Sequence, residues 1–443
     1  MFKSATRDAG LIRLVGPISL AASMISIVIG AGIFVVPAQL SQAMGSLAPL
    51  AILGCAVVVG AVGLCLAESG SRVPSSGGIY AAVETAFGPC AGYVVGLLFC
   101  FSTLLANAAV SSALGDAVAA VMPASLHGVV HAGVIVGTVT IIAALNARGI
   151  GVGAKLVGFT TLLKLTPLAI FLCLGAFAVH AENFVKSAAT ISPAGIARAL
   201  LFALYAFQGF ETALCVSGEV REPTRTIPGA IFLALSGATL LYVGIQVVAQ
   251  GILGPALPDS NVPLAEAMGR IHPALRVLML AGAAVSMFGF ITADLLSSPR
   301  ILFAFSRDGL LPRALGRLNQ QHAPDIAIGL YALLTILLAL SGSFAQLAAP
   351  AALVMALIYI AACAASWKLA RTGVAQTGTP LGFKGIGAAA TLGTAGMLAL
   401  IVFASRKEIV GLLILIALTL LAYTVQTRVL QRPTRPDSPQ PAA

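Results

Sequence analysis

The stretch Ile29-Gly30-Ala31-Gly32-Ile33-Phe34, followed by Pro37, puts two glycines at mid-depth in an otherwise Ile/Val-rich apolar run. Each costs a helix about 1 kcal/mol against alanine. One reading is close helix packing through small residues, which is common in membranes. The other is a break, where a transmembrane helix stops, exposes backbone groups and starts again. A second interruption favours the break. A later apolar run reads Leu204-Tyr205-Ala206-Phe207-Gln208-Gly209-Phe210-Glu211, with a glycine beside a mid-run acid. Interrupted helices in corresponding positions of two halves point to a solute site of the inverted-repeat type.

Composition supplies the membrane. Of 443 residues, 59% are hydrophobic and 9% charged, with a mean hydropathy of +1.01. A soluble domain carries about 25% charged residues to cover its surface, so lipid must cover this one. A spanning helix needs about 20 mostly apolar residues. Twelve such runs occur, near 14–40, 46–67, 89–115, 129–146, 155–178, 195–217, 228–251, 275–305, 326–342, 346–367, 385–404 and 409–427. They are continuous rather than alternating, so they predict helices, not barrel strands. The fold class expected is an all-α polytopic membrane protein with about twelve transmembrane helices. The broken runs are the first and the sixth. Five is odd, so a second five-helix repeat re-enters the membrane inverted. This predicts one transmembrane domain over 1–430, with a first repeat at 14–180, an inverted second repeat at 195–370 and two extra helices at 385–427. A Pro-rich polar tail at 431–443 is predicted to be disordered.

The net charge of +10 follows topology rather than a nucleic-acid partner. With a cytoplasmic amino terminus, the inner segments hold 18 Lys and Arg residues and the outer ones 6, as counted from the sequence. The positive-inside rule then places both termini in the cytoplasm of a multi-pass inner (plasma) membrane protein. The first run is too long for a cleavable signal peptide and is expected to remain as a span. All seven cysteines fall inside predicted spans without CxxC spacing, which reads as apolar packing.

At a helix break, backbone N–H groups point into a cavity with the positive dipole end behind them, making an anion site. Gly30 and Gly32, with Ala31 between, let a carboxylate approach the backbone closely. Carbonyls freed near Val28 and around Tyr205 to Gln208 accept hydrogen bonds from an ammonium. Together they describe the head group of an α-amino acid.

Five motifs along the chain resemble those of the amino acid–polyamine–organocation permeases. Gly30-Ala31-Gly32-Ile33-Phe34 with Pro37 is similar to the family's first-span Gly-Ser/Ala-Gly-Ile-Phe motif. Glu68-Ser69-Gly70-Ser71-Arg72-Val73-Pro74, Gly77-Gly78-Ile79-Tyr80 and Phe87-Gly88-Pro89 resemble the segment after the second span. Asn146 to Gly149 with Lys155 resembles the turn before the fifth. Phe210-Glu211, Glu219, Pro223, Arg225 and Ile227-Pro228 resemble the end of the sixth. Arg300 with Ser306-Arg307-Asp308-Gly309-Leu310-Leu311-Pro312, the most specific match, is similar to the segment closing the eighth. The resemblance implies a five-plus-five inverted repeat with two extra helices, and transport of amino acids or related amines by alternating access. It implies Gly30, Ala31 and Gly32 for the carboxylate, and the Val28 and Gln208 carbonyls for the amine. Tyr205 matches the aromatic position that covers the substrate from outside, with Ala206 and Phe207 completing the segment. Relatives often have serine at 31 and glycine at 208. Ala31 removes a hydroxyl donor, and Gln208 makes the sixth-span backbone bulkier.

Three buried charges remain. Lys164 lies well inside the fifth run, where a charge costs several kcal/mol unless it is paired or faces a cavity. It is either a snorkelling structural lysine or, as the resemblance implies, the counterpart of a lysine that stands where sodium-dependent relatives hold the ion. In the second case it bridges the fifth span to the first-span break and the eighth span. Asp294, about 9 Å of helix rise from Arg300, is expected to face the fifth span and pair with Lys164. Glu211 lies one turn past the sixth-span break, either lining the inner pathway or acting as a buried capping carboxylate. These three are the candidates for proton or ion coupling. Glu219, Arg225, Arg300 and Arg307 read as an inner charge network or as plain positive-inside anchoring.

No cofactor or metal is implied, because the five histidines fall in loops or at run ends without a metal or acid–base constellation, which argues against an enzyme. A channel would want rings of like residues. Amino-acid symport with protons leads; exchange, export and a non-transporting nutrient sensor use the same residues. Gln208 and Tyr205 favour a small or medium neutral amino acid over a large aromatic one, while Glu211 and Asp294 keep a cationic amine open.

Overall fold

A computed structural model describes residue 20 and residues 24–25, 27–30, 32–73, 78–120, 122–148, 150–186, 192–211, 222–307, 311–321, 323–376 and 379–430. Among these residues the chain is helical throughout, and each of the twelve apolar runs falls on a helix. The first run continues into Gly32–Met44 after its interruption. The next five runs fall on Ala48–Arg72, Pro89–Ala119, His127–Ala147, Ile150–Gly175 and Pro193–Phe207. The seventh to twelfth fall on Pro223–Leu253, Pro273–Ser297, Asp325–Ser341, Phe344–Arg371, Ile386–Val402 and Arg406–Leu430. Among the described residues, seven helices are long and apolar enough to cross a membrane, and four shorter apolar helices of 10–17 residues accompany them. The chain is a multi-pass membrane protein.

Local chemistry sets the ends. Proline opens the helices at Pro89, Pro193, Pro223, Pro263 and Pro273, where its missing N–H would be unsatisfied anyway. Ser192 caps the sixth-run helix by accepting from Gly195 N at 3.0 Å. Ser343 and Gln346 form a reciprocal capping box at the start of the tenth. The second helix ends in a latch. Arg72 pairs with Glu68 at 2.8 Å and donates to Val374 O, while Leu381 N and Phe383 N bond Ser71 and Glu68, tying the loop after the tenth helix to the second.

The packing has an order that bears on the repeat. The first run packs on the sixth, the second on the seventh, the third on the eighth and the fourth on the ninth. The third also packs on the tenth and the fifth on the eighth, the second on the sixth and the first on the seventh. Exchanging every helix for the one five places away maps this set onto itself. The third and tenth helices form the centre, with 72% of their apolar windows buried, against 17% for the fourth and 11% for the twelfth. The eleventh and twelfth pack outside, against the second, third and tenth. Phe232, Leu240, Leu337, Leu413 and Leu421 point outward, as lipid-facing residues do. Cys55, Cys65, Cys100 and Cys363 are buried, Cys90 is half-buried and Cys173 exposed, all as free thiols; Cys215 lies outside the described residues.

The fifth and eighth helices meet without side-chain clearance at one level. A Cβ on Gly282 would overlap Pro167 Cγ, whereas a Cβ on Gly237 of the seventh helix meets nothing within 4 Å. Gly282→Ala should therefore destabilise the detergent-solubilised protein by about 1–3 kcal/mol. Gly237→Ala should leave its melting temperature unchanged or slightly raised, and thermal unfolding of both variants checks the contrast.

Candidate functional site

The first-run helix does break at its glycines. Ile29 N makes the last α-helical bond, to Ile25 O at 2.8 Å, and Gly30 N turns back to Val28 O at 2.9 Å. The helix resumes at Gly32; Ala31 lies outside the described residues. The carbonyls released here are caught laterally. The Tyr242 hydroxyl of the seventh helix lies 2.6 Å from Val28 O. The Ser286 hydroxyl of the eighth lies 3.4 and 3.2 Å from Ile29 O and Gly30 O.

The sixth-run helix also breaks where expected. It ends at Phe207, Gln208 is extended at φ −60° and ψ 147°, and Gly209 takes φ +115°, which glycine adopts without a Cβ penalty. Glu211 folds back to accept from Gly209 N at 2.9 Å and from the Tyr359 hydroxyl of the tenth helix at 2.8 Å. Glu211 is thus a buried carboxylate bonded to the backbone of the break.

The two breaks rest on each other. A Cβ on Gly209 would lie 2.7 Å from Ile27 Cγ2 and 3.2 Å from Val28 N. One on Gly32 would lie 3.2 Å from Ala206 Cα. Glycine is required at both positions because backbone meets backbone. Tyr242 completes the junction: its single hydroxyl proton is within reach of Val28 O and, at 2.8 Å, of Ala206 O. Val28, Gly30, Gly32, Ala206 and Gln208 are thus brought together. The Phe207 ring lies tilted against the ring of Tyr242, with centroids 5.4 Å apart. Among the described residues, Gln208 Nε2 is a buried donor without a hydrogen-bond partner.

Tyr205 closes one side. Its hydroxyl donates to Ala106 O at 3.2 Å, and its ring meets Phe344 edge-on at 5.3 Å. Phe344 also lines a cavity of about 160 Å³, together with Phe34 and Met287, that carries Gln39, Asp116 and Ser260.

Lys164 is 2% exposed. It lies one turn before Pro167 on the fifth helix, and Ser286 lies one turn after Gly282 on the eighth. Successive spans alternate in direction, so the Pro167–Gly282 contact sets Lys164 level with Ser286 and hence with the first-run break. The Asp294 carboxylate accepts from Asn107 Nδ2 at 2.6 Å, Ser298 Oγ at 2.6 Å and Tyr331 Oη at 2.7 Å. These donors belong to the third, eighth and ninth helices, and Asp294 lies about 12 Å of helix rise beyond Ser286. Of the inner charges, Arg225 is exposed and Arg300 half-buried, while Glu219 and the Arg307 side chain lie outside the described residues.

A family model described as amino acid permease matches residues 15–425. The chain belongs to the amino acid permease family. Among similar proteins, this permease is 29% identical to an uncharacterized transporter of Mycobacterium tuberculosis, over 73% of each chain. It is 27% identical to the serine/threonine exchanger SteT of Bacillus subtilis, over 76% of this chain and 78% of that one. It is 25% identical to the methylthioribose transporter of the same organism, over 69% and 70%.

The permease site holds residues that sequence reasoning passed over: Tyr242, Ser286, Asn107, Tyr331 and Tyr359. One signal was present. Tyr242, Gln246 and Gln250 stand at i, i+4 and i+8 in an apolar run, a single helical face. Gln246 and Gln250 donate to Pro37 O at 3.3 Å and Gly45 O at 2.8 Å, extending the grip of Tyr242 along the first-run helix. Tyr242→Phe keeps the ring against Phe207 and leaves the Val28 and Ala206 carbonyls without their donor, a penalty of about 1–3 kcal/mol. Substrate flux should fall at least tenfold in proteoliposomes while the variant still inserts and purifies as a single species.

Proposed function

We propose that this permease moves amino acids across the plasma membrane by alternating access, without sodium and in symport with protons. The observation that carries the reading is the junction of the two breaks, where backbone groups of the first and sixth helices meet around the Tyr242 hydroxyl. Such a junction offers N–H groups and carbonyls within one small volume, the complement of a carboxylate next to an ammonium. Gly30, Ala31 and Gly32 hold the carboxylate; the Val28 carbonyl and the segment from Tyr205 to Gln208 hold the amine. Gln208 Nε2, lacking a partner, supplies an additional donor to the carboxylate.

Alternating access is supported by the exchange symmetry of the packing, which a five-plus-five inverted repeat produces. Under this reading the eleventh and twelfth helices lie outside the moving parts, and both termini face the cytoplasm by the Lys/Arg asymmetry. Lys164, level with Ser286 and the first-run break, fills the place of a coupling cation with its own ammonium. That disfavours sodium by charge repulsion and makes the lysine the group that carries the coupled proton. Exchange is a second reading, favoured by the similarity to a relative named a serine/threonine exchanger.

Purified protein in liposomes, offered a panel of labelled amino acids, should accumulate at least one under an inward proton gradient. Under the second reading it should instead swap one for internal substrate. Lys164→Ala should abolish accumulation while sparing insertion. Uptake that requires sodium, or unchanged proton-driven uptake in Lys164→Ala, would sink the coupling assignment.

A further inference from the structure

Asp294 places a carboxylate inside the eighth helix. Its carboxylate is held at membrane depth by three donors, all neutral: the Asn107 amide and the Ser298 and Tyr331 hydroxyls. Neutral donors orient a carboxylate and leave its charge uncompensated, which is costly inside a membrane protein. The residue is half-buried. Acids within membrane spans line solute pathways or find a counter-charge there.

The third helix links the carboxylate to the head-group region. Asn107, which donates to it, directly follows Ala106, whose carbonyl receives the Tyr205 hydroxyl at 3.2 Å. Asp294 and the aromatic lid are thus anchored to adjacent residues of the third helix. Along the eighth helix, Asp294 stands eight residues beyond Ser286, which touches Gly30 O, a rise of about 12 Å. Side chains lean towards the helix amino terminus, here towards Ser286, which shortens the gap. An amino acid with a lysine-length side chain measures roughly 8 Å from carboxyl carbon to terminal nitrogen, and a hydrogen bond of about 3 Å completes the span. The cavity that Phe344 lines holds one acidic residue, Asp116, bonded to His131 at 2.9 Å, and no lysine or arginine among its described lining residues.

We propose that Asp294 is the specificity-determining residue of this site and selects α-amino acids whose side chain ends in an ammonium or guanidinium. The inference rests on the head-group reading above and replaces the sequence expectation of a small or medium neutral substrate. The substrate's distal cation supplies the counter-charge that Asn107, Ser298 and Tyr331 cannot, and the same three donors keep the carboxylate aimed at it. A neutral side chain of equal length leaves the carboxylate uncompensated and binds weakly.

Thermal stabilisation of the purified full-length protein by lysine, arginine and norleucine tests this, because a ligand that binds the folded state raises the melting temperature with its occupancy. Lysine or arginine should stabilise at concentrations at least tenfold below norleucine. Asp294→Asn should bring the basic amino acids to the norleucine level, and Asp294→Glu, which keeps the charge, should retain the preference. Equal stabilisation by norleucine and lysine in the unaltered protein would overturn the proposal and leave the head-group reading intact. So would a preference that survives in Asp294→Asn. Stabilisation by none of the α-amino acids would overturn the head-group reading, and this inference with it.

Discussion

A peptide group that leaves a helix inside a membrane must find another partner, because lipid offers none. Two helices of this protein release such groups at mid-depth, and the surrounding arrangement answers that constraint. Val28 O goes to Tyr242, Gly30 O to Ser286, and Gly209 N to Glu211. The donors and acceptors come from the sixth, seventh and eighth helices, so the breaks are stable only when those helices are in place. Gly209 and Gly32 are fixed for the same reason, since any side chain would push the two interrupted segments apart.

The seventh helix appears in this scheme as more than scaffold. Tyr242, Gln246 and Gln250 form a polar ladder that follows the first-run helix from its break to Gly45. A helix held at three levels by one neighbour moves with that neighbour. The eighth helix has a different part. It presses Gly282 against Pro167 of the fifth, reaches the break through Ser286, and carries Asp294 to the third and ninth helices. One helix therefore touches the head-group region, the level of Lys164 and the acid further along.

Much of this was legible in the sequence, and the failures have physical causes. The two breaks could be read because the second interruption, at Gln208-Gly209, stands five apolar runs after the first. Glu211 could be placed beside the sixth-run break, but the direction of its carboxylate depends on Tyr359, 148 positions away. The hydrogen bonds of Asp294 could not be read, because depth can be counted along a helix, whereas the face a side chain takes depends on neighbours. Here the neighbours include Asn107 and Tyr331. Tyr242 escaped notice because a lone tyrosine in a span reads as an interfacial aromatic until its spacing to Gln246 and Gln250 is considered. The exchange symmetry of the packing had no counterpart in sequence identity between the halves, since packing at a shared geometry tolerates many apolar choices.

The central claim is that the paired breaks bind the carboxylate and ammonium of an amino acid. Equilibrium competition on the purified protein tests it most directly, using the best-bound amino acid of the panel as labelled probe. Its carboxamide and its N-acetyl derivative serve as competitors. Each lacks one charge of the head group and keeps the side chain, so both should compete at least a hundredfold more weakly than the parent. A carboxamide or N-acetyl derivative that competes as well as the parent would place recognition elsewhere and contradict the assignment of the two breaks.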